Sequence, residues 1–260
     1  MDPLQELETV LRQVVERPAI QKAHRRTQKE SLIKWILETG RIPYTHGFPE
    51  YRFQEITLLE FVANLENYKI ENPQKSEVAL AFGDSIIAFA GKQLTSVDPR
   101  LNFGQPGSGS PNFTRTAESL YPYLKNLDVN YIVLGCFGGN PLLSYQDYNS
   151  VKQETETAFR SFRTLFPNAR LIVYGPPPVY DPYVNLFIED YEKFLYSLVL
   201  GDTNSVYLHL RSKFSNHSGV YPDKKYSSDG VHLTKDGIQI LDRMIQRAKT
   251  TSLKLILDEK

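Results

Sequence analysis

The run Val78-Ala-Leu-Ala-Phe82 is apolar at every position, and three more runs of this kind follow it: Tyr131-Ile-Val-Leu134, Leu171-Ile-Val-Tyr174 and Val206-Tyr-Leu-His-Leu210. A strand with one wet face alternates apolar and polar residues. An unbroken short run marks a strand covered on both faces. Leu101-Asn-Phe103 reads as a further, very short strand. Helical spacings fill the intervals. Tyr148, Val151, Thr155, Phe159, Phe162 and Phe166 form one stripe; Val184, Phe187, Tyr191, Phe194 and Leu198 form a second. The last helix starts near Thr234 and carries Ile238, Leu241, Ile245 and Ala248. Strands alternating with helices make βαβ units, so the fold class is α/β, a parallel sheet of about five strands with helices on both faces.

Residues 1–72 follow a different pattern. Leu4, Leu7, Leu11 and Val14 make an apolar stripe that stops at Pro18. A second helical pattern carries Leu32, Ile33, Trp35, Ile36 and Leu37, and a third runs from about Glu50 to Tyr68 with Ile56, Leu59, Val62 and Leu65 on one side. The expected organisation is an N-terminal helical extension (1–72) and an α/β domain (73–260). These stripes are too apolar to stay solvated, so the extension is expected to pack on the main body or to join two copies as a homo-oligomer.

Charge narrows the function. Lys plus Arg and Asp plus Glu are 30 each, so no positive excess points to nucleic acid. The basic stretch from Lys22 to Lys29 is offset locally, since residues 1–70 hold ten basic and ten acidic side chains. Cys136 is the only cysteine, which excludes an internal disulfide and multi-cysteine zinc sites. No apolar run approaches the roughly 18–20 residues that span a bilayer, and no signal peptide stands at the start. The expectation is a cytoplasmic protein, although a leaderless mature form would read the same.

In an open parallel sheet, ligands collect at the carboxyl ends of the strands, and four segments there carry polar groups. Gly83-Asp84-Ser85 follows the first strand and opens a helix, which would expose the Ser85 hydroxyl at a sharp turn. Alone, such a serine is more often a helix cap. The segment from Asn102 to Gly109 is rich in glycine and can present free backbone N–H groups. Gly138-Gly139-Asn140 brings an amide donor to the end of the third strand. Asp229-Gly-Val-His232 precedes the final helix, at a spacing that lets the carboxylate hold one ring nitrogen while the other faces the site. Each match alone is an ordinary turn. In this order, at these places, they are far more specific.

From Glu77 to Lys249 the sequence resembles the SGNH (GDSL-type) hydrolase family, most specifically in Phe82-Gly-Asp-Ser85 and in the stretch from Asp229 to Gly237. The resemblance implies a flavodoxin-like three-layer sandwich and a serine esterase acting on a carboxylic ester, a short acyl or O-acetyl group included. It implies Ser85 as nucleophile, His232 as base and Asp229 as its orienting acid. An oxyanion hole would come from the Ser85 N–H, the Gly107 N–H and the Asn140 amide. The family usually places Asp after that Asn; here Pro141 follows. The chemistry needs no metal or organic cofactor. An O-acyltransferase would use the same residues with an alcohol in place of water, and a catalytically inactive binding module is a third reading that the full residue set opposes.

The remaining histidines (His24, His46, His209 and His217) show no paired ligand spacing and read as structural or surface residues. Cys136 reads as a small core residue. Pro176-Pro177-Pro178 with Tyr180, and the 216–226 stretch with Tyr221 and Tyr226, either wall the site or pack their own loops. Aromatic walls suit a small-molecule ester or a carbohydrate ester alike.

Overall fold

The computed structural model describes residues 50–73, 77–144, 146–216, 221–227, 229–251 and 255–256. The stripes expected at 1–40, and His24, His46 and His217, lie outside them. The chain divides between Lys75 and Ser76 into two units. The described part of the first is helix α1 (Glu50–Glu71), in which Phe61, Val62, Leu65 and Tyr68 are buried.

The second unit is a parallel sheet flanked by helices on both sides. Its strands are β1 (Val78–Gly83), β2 (Asn102–Gly104), β3 (Val129–Gly135), β4 (Arg170–Val173), β5 (Ser205–Leu208) and a two-residue β6 (Leu255–Ile256). They lie in the order β2-β1-β3-β4-β5-β6, each neighbouring pair parallel. The five expected strands are all present, and β6 adds a short edge. The α/β, flavodoxin-like class is therefore shown. β1 goes out to β2 on one side and the chain returns to β3 on the other, so the strand order reverses beside β1, where such sheets bind ligands.

The helices are α2 (Ser85–Ala90), α3 (Ser110–Leu124), α4 (Gly139–Leu143), α5 (Tyr148–Leu165), α6 (Pro182–Leu200), α7 (Arg211–Phe214) and α8 (Lys235–Thr250). α3, α5 and α6 pack side by side; α2 and α8 form the other layer. α3 was not foreseen from the sequence. Pro111 in its first turn and Pro122 inside it read as breakers, yet Phe113, Ala117, Leu120 and Leu124 are buried at helical spacing. The stripe expected on α6 is rotated. Val184, Ile188, Tyr191, Leu195 and Val199 are buried, whereas Phe187 is exposed. This helix is apolar on more than one side, so periodicity alone could not choose the face that meets the sheet.

Three glycines decide how α2 sits. Gly104, Gly83 and Gly135 occupy one row across β2, β1 and β3. A Cβ on Gly83 or Gly135 would come within 2.5 Å or less of the Ile87 side chain, and one on Gly104 within 2.4 Å of the Ala88 nitrogen. The row is a seat that lets α2 lie directly on the sheet, which fixes where its first residue, Ser85, stands. Among the described residues, no helix is long and apolar enough to cross a membrane.

Candidate active site

Ser85 is the first residue of α2. Asp84 caps that helix, its Oδ1 accepting the Ile86 N–H at 2.9 Å. Across the sheet edge, Asp229-Gly-Val-His232 forms a tight turn just ahead of α8. Asp229 Oδ1 accepts the N–H groups of Val231 (2.9 Å) and His232 (2.7 Å), and Gly230 takes φ = 81°. Few side chains tolerate that angle. The turn leaves Asp229 Oδ2 at 2.7 Å from His232 Nδ1, and His232 Nε2 at 3.0 Å from Ser85 Oγ. With Asp229 ionised, Nδ1–H donates to it, and Nε2 is left to accept the Ser85 O–H. Partial burial works against the Asp229 charge. The hydrogen bonds from the His232 ring and the two backbone N–H groups outweigh it and bring the carboxyl down to about 2.

The turn is held through its helix. Thr234 caps α8, and Asp242 on α8 accepts the Ser96 N–H (2.8 Å), the Ser96 hydroxyl (2.6 Å) and the Thr95 hydroxyl (2.5 Å). Ser96 lies shortly beyond α2, so one buried carboxylate ties the helix that follows His232 to the segment that follows the serine.

Gln105-Pro106-Gly107-Ser108 turns the chain after β2. Pro106 stands at the second position, Gly107 at the third with φ = 76°, and the Ser108 N–H bonds the Gln105 carbonyl at 3.2 Å, the signature of a type II turn. Asn140, on α4 at the end of β3, donates from Nδ2 to the Ser108 carbonyl at 2.9 Å and to Asp84 Oδ2 at 3.4 Å. The loops after β1, β2 and β3 thus meet at this amide. Pro141 is buried, and its Cγ lies 2.9 Å from where a Gly109 Cβ would be. In place of an acidic group, the position after Asn140 supplies an apolar ring against the second loop, and Gly109 makes room for it.

Two groups here escaped the sequence reading. Asp84 is almost fully buried, and that burial pushes its carboxyl up to about 6. The Cys136 thiol, the Ile86 N–H and the His232 charge pull the other way. Cys136 is buried, as expected, but it also adopts φ = 53° and hydrogen-bonds Asp84; burial and the Asp84 charge hold its thiol well above the usual range. No spacing rule announces such a pair.

Two exposed rings rim the site. The Phe89 side chain, 59% exposed, lies with its centroid 5.3 Å from that of His232. Tyr180 lies against Gly230, where a Cβ would meet its Cδ2 at 2.0 Å. Asn185 fixes the segment before Tyr180, with Val179 N–H donating to its Oδ1 (2.8 Å) and its Nδ2 donating back to the Val179 carbonyl (2.6 Å). Tyr226 instead packs edge-on against Phe214.

No family model matches the sequence, and no curated protein matches it. Solved structures do. A Streptococcus pneumonia protein provisionally assigned as a platelet activating factor shares 16% identity at TM-score 0.61, over 76% of this chain and 94% of that one. A provisionally assigned acylhydrolase from Bacteroides fragilis shares 16% at 0.52, over 72% and 95%. A provisionally assigned GDSL-like lipase from Parabacteroides merdae shares 16% at 0.51, over 67% and 96%. The fold is that of GDSL-like lipases and acylhydrolases, as the resemblance implied.

Proposed function

We propose that this chain is a serine hydrolase of carboxylic esters, with every reacting group drawn from residues 73–260. One observation carries the reading: Ser85 Oγ, His232 Nε2, His232 Nδ1 and Asp229 Oδ2 form a continuous relay at 3.0 and 2.7 Å from residues far apart in sequence. In the first half-reaction His232 takes the Ser85 proton as Oγ attacks the ester carbonyl, and then hands it to the departing alkoxide. Asp229 holds the ring in the productive tautomer and stabilises the imidazolium. In the second half-reaction water attacks the acyl-serine with His232 again as base.

The tetrahedral oxyanion would be received by the N–H groups of Ser85 and Gly107 and by the Asn140 amide. Both Asn140 N–H groups are engaged at rest, but the 3.4 Å contact with Asp84 is long and weak. That N–H is the one released at small cost to an incoming oxyanion. One such donor contributes about 3–4 kcal/mol. The likeness to acylhydrolases and lipases agrees with this chemistry without carrying it, since one fold hosts many functions.

Phe89 and Tyr180 offer apolar surface beside the serine, which supports an acyl group or ring resting there. The test is a panel of p-nitrophenyl esters of rising chain length, with an acetylated sugar alongside, on wild type and Ser85→Ala. Turnover that vanishes with Ser85, together with fluorophosphonate labelling of Ser85, supports the assignment. Unchanged turnover in folded Ser85→Ala, or labelling elsewhere, overturns it.

A further inference from the structure

A second cavity lies between α6 and the end of β5. It encloses about 500 Å³, within the roughly 300–1,000 Å³ usual for small-molecule sites. Glu189, Glu192, Lys193 and Tyr196 line it from one face of α6, at the spacings of three and four that put side chains together. His209 and Arg211, just beyond β5, close the opposite side.

Two of these groups are poorly served by the protein. Glu192 is only 5% exposed, yet the Tyr207 hydroxyl reaches its Oε1 at 3.4 Å and His209 Nε2 stands 3.7 Å from its Oε2; the Arg211 backbone N–H is a further donor. His209 Nδ1 is buried without a hydrogen-bond partner among the described residues. Buried polar groups left in this condition are destabilising and rare in native proteins. A ligand hydroxyl in the cavity would add a partner for Glu192.

The charges around them say what kind. Glu189 faces Arg211 Nη1 at 3.1 Å and Lys193 Nζ at 3.7 Å. A cation entering would meet Lys193 and Arg211; an anion would meet Glu189 and Glu192. A hydroxyl group suits both sets, because it donates to a carboxylate and accepts from an N–H donor. The half-buried ring of Tyr196 adds a flat apolar face of the sort that C–H groups lie against.

We propose that this cavity binds a sugar: Glu192 and His209 take hydroxyl groups of a neutral, polyhydroxylated ring whose C–H face rests on Tyr196. Burial pushes the Glu192 carboxyl up to about 7, against the Arg211 charge and the Tyr207 hydrogen bond, so near neutrality it both donates and accepts. The site stands apart from the Ser85 chemistry and does not depend on it.

The experiment is calorimetric titration of the full chain with glucose, N-acetylglucosamine, xylobiose and cellobiose, with phosphate and tetramethylammonium as charged controls. At least one sugar should bind and neither control should. Glu192→Gln and Tyr196→Ala should each weaken the sugar about tenfold or more, while Ser85→Ala leaves it unchanged. His209→Gln serves as a third variant should either of the others melt early. Absence of binding by all four sugars, tighter binding of a charged control, or affinity undiminished in folded Glu192→Gln and Tyr196→Ala overturns the proposal. A loss of ester turnover in Ser85→Ala bears only on the other site.

Discussion

The two halves of the Ser85 site are built in opposite ways. Ser85, Asp84 and Cys136 are buried where β1 and β3 end, over a row of glycines and under a helix that touches the sheet. Asp229 and His232 stand on an exposed turn, their side chains 53% and 38% exposed. The contrast extends to their carboxyls. Asp84 is driven up to about 6 by burial, while Asp229 sits at about 2 because hydrogen bonds to its charged form prevail over burial. Environment has pushed two identical groups beside one Ser–His pair to opposite ends of their range. Within the buried half, Asp84 and Cys136 should be bound up with the fold, whereas Ser85 and the exposed turn should be chemistry with little structural consequence.

Ser85→Ala is the largest expected effect: a fall in kcat/KM of about 10⁴-fold or more on a p-nitrophenyl ester, with Tm nearly unchanged because the helix cap is Asp84. A smaller loss would mean the serine is not the nucleophile. Asn140→Ala should cost about 10²- to 10³-fold in kcat and lower Tm slightly, since the amide also ties two loops together. If only Tm moves, Asn140 belongs to the scaffold alone.

Asp229→Ala should cost less, about 10²-fold, against roughly 10⁴ where such a carboxylate is enclosed, because water can solvate the imidazolium here. Its Tm should fall only slightly, since the hydrogen bonds lost with this carboxylate are half exposed to water. A loss equal to that of Ser85→Ala would show that exposure does not weaken this partner, and the contrast between the halves would fail.

The smallest effect on rate, and the sharpest on stability, concerns Asp84. Its folded carboxyl holds a proton up to about pH 6, whereas the unfolded one releases it near 3.8. The folded state therefore binds more protons across that window, and stability falls as pH rises through it. Denaturant titrations of wild type and Asp84→Asn at pH 4 and pH 7 should show wild type losing about 2 kcal/mol relative to the variant. A gap that stays constant with pH would place the Asp84 charge outside the buried half.

Much of this was readable in the residues, for reasons that also explain the misses. The strands announced themselves because a strand buried on both faces must be apolar throughout. Gly107 came from the family resemblance and not from its turn, whereas the spacing of Asp229 and His232 was readable as a local contact. α3 was hidden because Pro111 and Pro122 signal breaks, although a first turn tolerates the one and the helix ends shortly after the other. The buried face of α6 was misjudged because Phe187 and Ile188 are equally apolar, and only the sheet decides between them. The glycine row depends on register between strands distant in sequence. The Asp84–Cys136 pair depends on burial, which no residue carries alone. His209 read as a structural or surface residue, since its cavity forms only when α6 lies beside β5.

The clasp between Asp242 and Ser96 bears on how the molecule comes into being. Ribosomal synthesis runs from one end of the chain, and domains take shape as they emerge. The serine, its capping aspartate and the Asn140 loop are all made before the segment that carries His232. Until that segment appears and α8 docks onto Ser96, Ser85 stands without the imidazole that faces it in the finished fold. On the proposed mechanism, chemical competence is thus withheld during growth of the polypeptide until α8 docks.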